Sequence, residues 1–435
     1  MAASLNLQRN TKVFYSTVDL NGGAAATAMS PANTYEVEVL AGFAFSQSAA
    51  TQDITSLESG LTPDRSTQRF NTAINPVDWN FQCYLKPTRA TGVTGAATTN
   101  QHESGNALPV ADWFLWQALL SATSPATGTQ LQSAWQGTAA TTISKWENRN
   151  RAASANVAAC NPNFATATEN HLYMKVDNVV YQLANAAVNQ VSIDAAIDGI
   201  ATSTWTGFAT NLVELTGAPR NVAINVFGGV LNNGTTVGAA SSIDIFKTNG
   251  STVNTSKFHP WNSYNVASTA TSAEFIKNRL STIDIVDGSG GTDPAKHTFP
   301  VTGLTFDINN NITYLTAEEL ASLNQPITQF TGVQSISGSI SAYLRSGGDA
   351  ADNSATFLRN IVSNTATQTA QGAQANLKIG GATAPYFAID MQATQFSFPT
   401  HTIEDVIGIS AEFLAQETTA QKGAGANVTF VTQAA

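Results

Sequence analysis

One stretch of strict alternation occurs twice in this chain, in the same phase. Val77-Asp78-Trp79-Asn80-Phe81-Gln82-Cys83-Tyr84-Leu85-Lys86 corresponds to Ile336-Ser337-Gly338-Ser339-Ile340-Ser341-Ala342-Tyr343-Leu344-Arg345. Alternation with period two marks a strand with one buried face. A slip of one residue would send every side chain to the other face, so a shared phase implies a shared fold. Val77, Trp79, Phe81, Cys83 and Leu85 form the apolar face of the first copy. Ile336, Gly338, Ile340, Ala342 and Leu344 form that of the second.

Other elements recur around this strand in the same order, which is the mark of an internal duplication. Leu7 to Leu20 resembles Phe275 to Ile285, and Gly42-Phe43-Ala44-Phe45 matches Gly303-Leu304-Thr305-Phe306. A helix candidate follows each strand, Pro109 to Leu120 and Asn353 to Val362, with apolar residues at helical spacing. Gln190-Val191-Ser192-Ile193 aligns with Gln395-Phe396-Ser397-Phe398, and the same offset puts Phe208 on Phe413. Each copy therefore reads strand, strand, long loop, strand, helix, strand, strand. The expected fold is mainly β, with two tandem β-sandwich or barrel domains, each carrying one packed α-helix.

The expected organisation is a first copy over 1–216, a structured connector over 217–271, a second copy over 272–420 and a C-terminal tail over 421–435. The first copy is longer, and the excess, about 124–170, reads as a surface elaboration. The connector is rich in Gly, Asn, Ser and Thr. Its strand candidates are Asn221 to Phe227 and Ser242 to Phe246, punctuated by Asn233-Gly234 and Asn249-Gly250.

Composition narrows the function classes. Hydrophobic residues are 43% of the 435, enough for a sizeable core, but charged residues are only 11%. About 25% is usual for soluble domains. A surface of Ser, Thr, Asn and Gln suits a protein covered largely by other copies of itself. The net charge of −10 opposes phosphate-gripping nucleic-acid binding, which needs a basic footprint. Cys83 and Cys160 make no CxxC, and Cys83 falls on the apolar strand face, so it reads as a buried thiol. The first residues lack the order of a signal peptide, and no apolar run approaches the ~20 residues of a membrane span. The expectation is a protein made in a cytoplasm with no membrane insertion.

No catalytic constellation emerges. The five histidines form no HExxH or HxH, and there is no GxSxG or GxxxxGK[ST]. Gly288-Ser289-Gly290-Gly291 lies between strands and reads as a hairpin turn. Glu36 and Glu38 share one strand face and read as surface carboxylates. Glu318 and Glu319 after Thr316 read as a helix cap. Neither an enzyme nor a cofactor or metal site is expected.

The passage from Gly42-Phe43-Ala44-Phe45 through Asp53-Ile54-Thr55-Ser56-Leu57-Glu58, Pro63-Asp64-Arg65 and Arg69-Phe70-Asn71 to Pro76-Val77-Asp78-Trp79-Asn80-Phe81 resembles phage tail-tube (major tail) proteins. The resemblance covers most of 7–215 and 275–417 and matches the duplicated-domain variety. It implies a non-enzymatic virion protein, assembled in the bacterial host cytoplasm. Three such chains form pseudo-sixfold rings that stack into a tube through which the genome passes. It implies as partners the protein itself, a tape-measure protein, tail-tip or baseplate and terminator proteins, and a sheath if the tail is contractile. DNA is expected only as non-specific cargo.

On this reading the loops Gln47–Asn75 and Asp307–Ser335 are ring-stacking candidates, with Asp53, Glu58, Asp64, Arg65 and Arg69 as the residues concerned. The polar strand face Asn80, Gln82, Ser339 and Ser341 is a candidate lumen or inter-subunit surface, and an acidic lumen would repel DNA phosphates. The alternatives are another self-assembling β subunit, such as a capsid decoration, sheath-like or surface-layer protein, or a secreted binding module.

Overall fold

The computed structural model describes residues 11–16, 19, 34–54, 68–85, 88–90, 112–120, 143–147, 170–176, 179–215, 247–248, 252–253, 271–273, 275–286, 296–316, 326–346, 353–367, 373–381, 386–403, 405–416 and 426–431. The first part of the chain forms β1 (Thr11–Ser16), β2 (Thr34–Val37), β3 (Ala44–Ser46), β4 (Ala49–Ile54), β5 (Gln68–Ile74), β6 (Val77–Tyr84) and β7 (Thr88–Ala90). Helix α1 (Trp113–Leu120) follows, then β8 (Ile143–Glu147), β9 (His171–Val176), β10 (Val179–Ala184), β11 (Ala187–Ala196), β12 (Thr202–Ala209) and β13 (Asn211–Glu214). Short strands β14 (Lys247–Thr248), β15 (Thr252–Val253) and β16 (Thr271–Ala273) come next. The remainder forms β17 (Thr282–Val286), β18 (Lys296–Pro300), β19 (Gly303–Asn309), β20 (Ile312–Thr316), β21 (Pro326–Thr331) and β22 (Ser335–Tyr343). Helix α2 (Ser354–Thr367) precedes β23 (Ala373–Ile379), β24 (Tyr386–Phe396), β25 (Thr400–Thr402), β26 (Gly408–Ala415) and β27 (Asn427–Val431).

The fold is mainly β. In the first part, one sheet runs β13–β10–β9–β1–β2, while β3, β6, β12 and β11 lie side by side in a 14-stranded sheet. The later strands follow the same orders. β27, β24, β23, β17 and β18 are neighbours, as are β19, β22, β26 and β24. β24 belongs to both groups: its first half pairs β23 and β27, and its last residues pair β26. The separate strands β10 and β11 hold those places earlier in the chain.

The alternation read from sequence decides which face is buried. On β6, Val77, Trp79, Phe81 and Cys83 point into the core and Asp78, Asn80 and Gln82 point out. Registers agree as well. Phe45 faces Trp79, and Phe306 faces Gly338. Next to these positions a large residue and a glycine change places. Trp79 lies opposite Gly207, whereas Gly338 lies opposite Phe413. A Cβ on Gly207 would collide with the Trp79 ring and the Ala187 carbonyl. One on Gly338 would collide with Phe413 and the Thr305 carbonyl. Each pair fills the same layer, large over small in one and small over large in the other.

The helices are anchored at their ends. Asp112 O accepts from the N–H groups of Leu115 and Trp116 and opens α1. The start is four residues later than Pro109, since the described helix begins at Trp113. Asn353 Oδ1 accepts from Thr356 N–H (3.0 Å), an N-cap that opens α2. Ser354 Oγ accepts from Arg345 N–H (2.7 Å) and donates to Tyr343 O (3.0 Å), tying the helix to the end of β22. Trp116 is fully buried. Its ring sits 4.9 Å from that of Trp205, edge-on, and 5.6 Å from that of Phe387. One side chain of α1 therefore touches both β12 and β24.

Several sequence readings need correction. The long loops are two-stranded hairpins, β4–β5 and β20–β21, because their backbone groups pair across the loop. The 124–170 excess is not surface elaboration alone, since β8 within it pairs β27. The C-terminal tail expected over 421–435 supplies β27, with Val428 fully buried. The sequence alignment set Ser192 on Ser397 and Phe208 on Phe413. The ladder instead sets Ser192 on Thr400 and Gly207 on Phe413, and the offset differs between the two strands because the turn from Asp194 to its partner Thr202 is two residues longer than that from Thr402 to Gly408. Ser and Thr at every second position leave such a slip invisible in sequence. Both connector strand candidates, Gly288 to Gly291, and Glu318 with Glu319 lie outside the described residues.

Gly207→Ala and Gly338→Ala should each destabilise by about 1–3 kcal/mol, as overpacking does, measured by denaturant unfolding. His171 is buried, and desolvation pulls its pKa down to about 4, against an opposing pull from Asp19. The unfolded chain then binds more protons between about pH 6.5 and 4. Stability should be full above that window and fall as pH drops through it, by up to about 3 kcal/mol. Thermal melts of His171→Gln across this range should lack that slope.

Candidate functional site

The exposed side of the large sheet is one continuous polar surface. Directly opposed residues share a face, so it can be followed strand by strand. One row runs Gln82, Thr204, Ser192, Asp307 and Ser337. The next runs Tyr84, Thr202, Asp194, Thr305, Ser339 and Glu412. Asn80 lies in the row of Thr206 and Gln190, and Ser341 in that of Gly303 and Ser410. The four polar-face candidates Asn80, Gln82, Ser339 and Ser341 thus share one surface, bridged by β12, β11 and β19.

Charge on this surface has one sign. Among the described residues of these strands, the ionisable groups pointing outward on it are Asp78, Asp194, Asp307 and Glu412, with Tyr84 and Tyr343. No Lys or Arg joins them. The rest is a hydrogen-bonded carpet. Gln82 Nε2 donates to Thr202 Oγ1 and Thr204 Oγ1 (3.4 and 3.5 Å), Gln190 Nε2 donates to Asp307 Oδ1 (3.3 Å), and Thr305 and Ser339 hydroxyls meet at 2.8 Å. The composition hinted at an acidic surface, but which acids share it depends on register, which sequence alone did not supply.

The centre of this surface is a join. β11, from the earlier strand set, pairs antiparallel with β19, from the later one, from Gln190↔Asn309 to Ala196↔Gly303. Polar contacts extend the join beyond the strands. Asn310 N–H donates to Asn189 O (2.8 Å), and Ile312 N–H donates to Asn189 Oδ1 (2.8 Å). Asn310 Nδ2 donates to Leu119 O (3.0 Å), satisfying a carbonyl at the end of α1. Tyr314 on β20 donates to Asn185 O (3.3 Å), and its ring meets Phe208 at 6.1 Å. Burial pushes the Tyr314 phenol well above its ordinary pKa, so it stays a donor.

The hairpins project from one end of this sheet. Asp53 and Arg69 face each other across β4 and β5, with Arg69 Nε 2.6 Å from Asp53 Oδ1. That hydrogen bond holds the Asp53 carboxyl below its usual pKa. Both are solvent-exposed, so the pair adds little stability. Glu58, Asp64 and Arg65 lie outside the described residues. The sequence reading missed the apolar stripe on the second hairpin, where Leu315, Ile327, Phe330 and nearby Val333 are exposed. At the sheet's opposite end the turns after β11 and β25 expose Ile197, Ile200, Ile403, Val406 and Ile407.

Cys83 is buried, as its strand phase predicted, and burial pushes its thiol pKa well up. Cys160 lies outside the described residues. No group of His, Cys, Asp and Glu among the described residues is arranged to hold a metal ion. Among them also, no helix is long and apolar enough to cross a membrane.

No protein-family model matches the chain. The chain is 26% identical over 415 residues to "Tail tube protein pb6" of Escherichia phage T5, covering 95% of this chain and 73% of that protein. A chain in the cryo-EM structure of the anti-feeding prophage baseplate overlaps at a TM-score of 0.23 and 9% identity, covering 35% of this chain and 94% of that one. An overlap that loose carries no argument. The sequence similarity runs along nearly the whole chain and supports a structural tail tube protein of a long-tailed phage.

Proposed function

We propose that this chain carries one domain twice and that three chains close into a pseudo-sixfold ring, with rings stacking into the tube. The observation that carries this is the β11–β19 join. It joins one repeat to the next head to tail, and a head-to-tail contact that closes makes a ring. Ring closure also removes exposed strand edges, which are otherwise an aggregation hazard. The protein then acts by assembly and has no catalytic step.

In such a ring the polar face of Asn80, Gln82, Ser339 and Ser341 lines the bore. Asp78, Asp194, Asp307 and Glu412 repel DNA phosphates there, and the uncharged carpet offers no grip. The β4–β5 and β20–β21 hairpins reach the neighbouring ring, where the stripe of Leu315, Ile327 and Phe330 meets the apolar turns at the opposite end. The partners are other copies of the chain, a tape-measure protein, tip or baseplate and terminator proteins, and a sheath in a contractile tail. The protein is a virion component assembled in the host cytoplasm, and DNA is transient cargo.

Two experiments test these roles. Deleting residues 55–67 and, separately, Phe330→Asp should leave rings that do not lengthen into tubes by negative-stain electron microscopy. Normal tubes from both would remove the stacking role. Asp194→Lys with Glu412→Lys should leave tubes intact but slow DNA release from particles several-fold at low salt, less at high salt. Release unchanged at every salt concentration would contradict a bore lined by this face.

A further inference from the structure

The large sheet's polar face ends on two short strands. Among the described residues, β3 pairs only β6, and β25 pairs only β26. Both span three residues, and β25 is exposed throughout. β3 holds the place in the first repeat that β19 holds in the second, since β3 pairs β6 as β19 pairs β22. β25, continuing from the end of β24, likewise holds the place of the second half of β11, since the end of β24 and β25 both pair β26 as β11 pairs β12. Inside the chain, β11 and β19 are joined. Their counterparts are not joined to each other.

From the internal join we infer that β25 of one chain pairs antiparallel with β3 of the next, with Thr400 opposite Ser46, His401 opposite Phe45 and Thr402 opposite Ala44. This rests on the ring reading and adds the edges and the register.

The register follows from the ladder. Ser192 faces Thr204, which faces Gln82; Thr400 faces Ser410, which faces Ser341. Gln82 and Ser341 hold the same position in the repeated strand, so Thr400 corresponds to Ser192. On the other side, Asp307 faces Ser337 and Ser46 faces Asp78, again equivalent positions. Ser192 faces Asp307 within the chain, so Thr400 meets Ser46 between chains. The same steps carry Ile193↔Phe306 onto His401↔Phe45, and Ala195↔Leu304 onto Ile403↔Phe43. Ile403 is 81% exposed in the single chain, and this pairing gives it an apolar neighbour.

Hydrogen-bond alternation agrees. Asn310 N–H donates to Asn189 O, so Ser192 and Asp307, at an odd step along the ladder, form a pair without mutual backbone bonds. Side chains lie closest at such positions, which suits a disulfide. On β25, Ser397 N–H donates to Glu412 O, and the ladder beyond it turns the backbone groups of His401 outward, as those of Ile193 turn toward β19.

The test is cysteine cross-linking of the full chain under mild oxidation. Rings or tubes are first scored by size-exclusion chromatography and electron microscopy. Ser46→Cys with Thr400→Cys should give covalent dimers and trimers on a non-reducing gel, with the 46–400 link identified by mass spectrometry. Ser192→Cys with Asp307→Cys should link within one chain and leave it monomeric on that gel. Either single cysteine, and the shifted pair Ser46→Cys with Thr402→Cys, should give at least tenfold less cross-linked trimer. Rings in which the 46–400 pair fails to link, or links no better than the shifted pair, overturn the register and leave the ring reading standing. A protein that stays monomeric under every condition overturns both.

Discussion

The pairing of β11 with β19 is the contact on which the rest of this structure depends. It joins two strand sets of similar order into one sheet and gives that sheet one polar side. Seven register pairs, from Gln190↔Asn309 to Ala196↔Gly303, fix it. Side-chain contacts lock it at the hairpin end, where Asn310 binds the end of α1 and Tyr314 reaches Asn185. Trp116 ties the layers behind it, with partners on β12 and β24. A backbone ladder suits this task because its specificity lies in direction and register. The side chains it displays remain free to serve another purpose.

The two faces of the sheet differ in kind. The inner face holds large apolar side chains, including the reciprocal Trp79/Gly207 and Gly338/Phe413 pairs. Close packing there sets the sheet's shape, since either glycine leaves no room for a methyl group. The outer face is mostly polar, and among the described residues of its strands its formal charges are all negative. A surface built to bind DNA would need cations at phosphate spacing. This one is suited to letting a polyanion pass, in keeping with similarity to a tail tube protein along 95% of the chain.

Much of this was legible in the sequence because alternation with period two reports burial directly. The burial of Val77, Trp79, Phe81 and Cys83, and the exposure of Asn80 and Gln82, followed from phase alone. The match of Phe45 with Phe306 survived in the observed registers with Trp79 and Gly338. Three kinds of feature were not legible. Turn lengths that differ between the copies shift the alignment while the Ser/Thr alternation goes on looking the same, which misaligned Ser192 by three positions. Strand partners distant in sequence, such as β8 with β27, leave no local trace. The acids that share the polar face come from separate strands, so only the assembled ladder brings Asp194, Asp307 and Glu412 together.

The most direct test of the account is the symmetry of the assembled particle. Top-view class averages of purified rings or short tubes, with the chain count taken from native mass spectrometry, read it without any mutation. The account predicts six similar lobes around an open bore, built from three chains. Six chains per ring, or a ring whose lobes number the same as its chains, would contradict a domain carried twice and joined head to tail through β11 and β19.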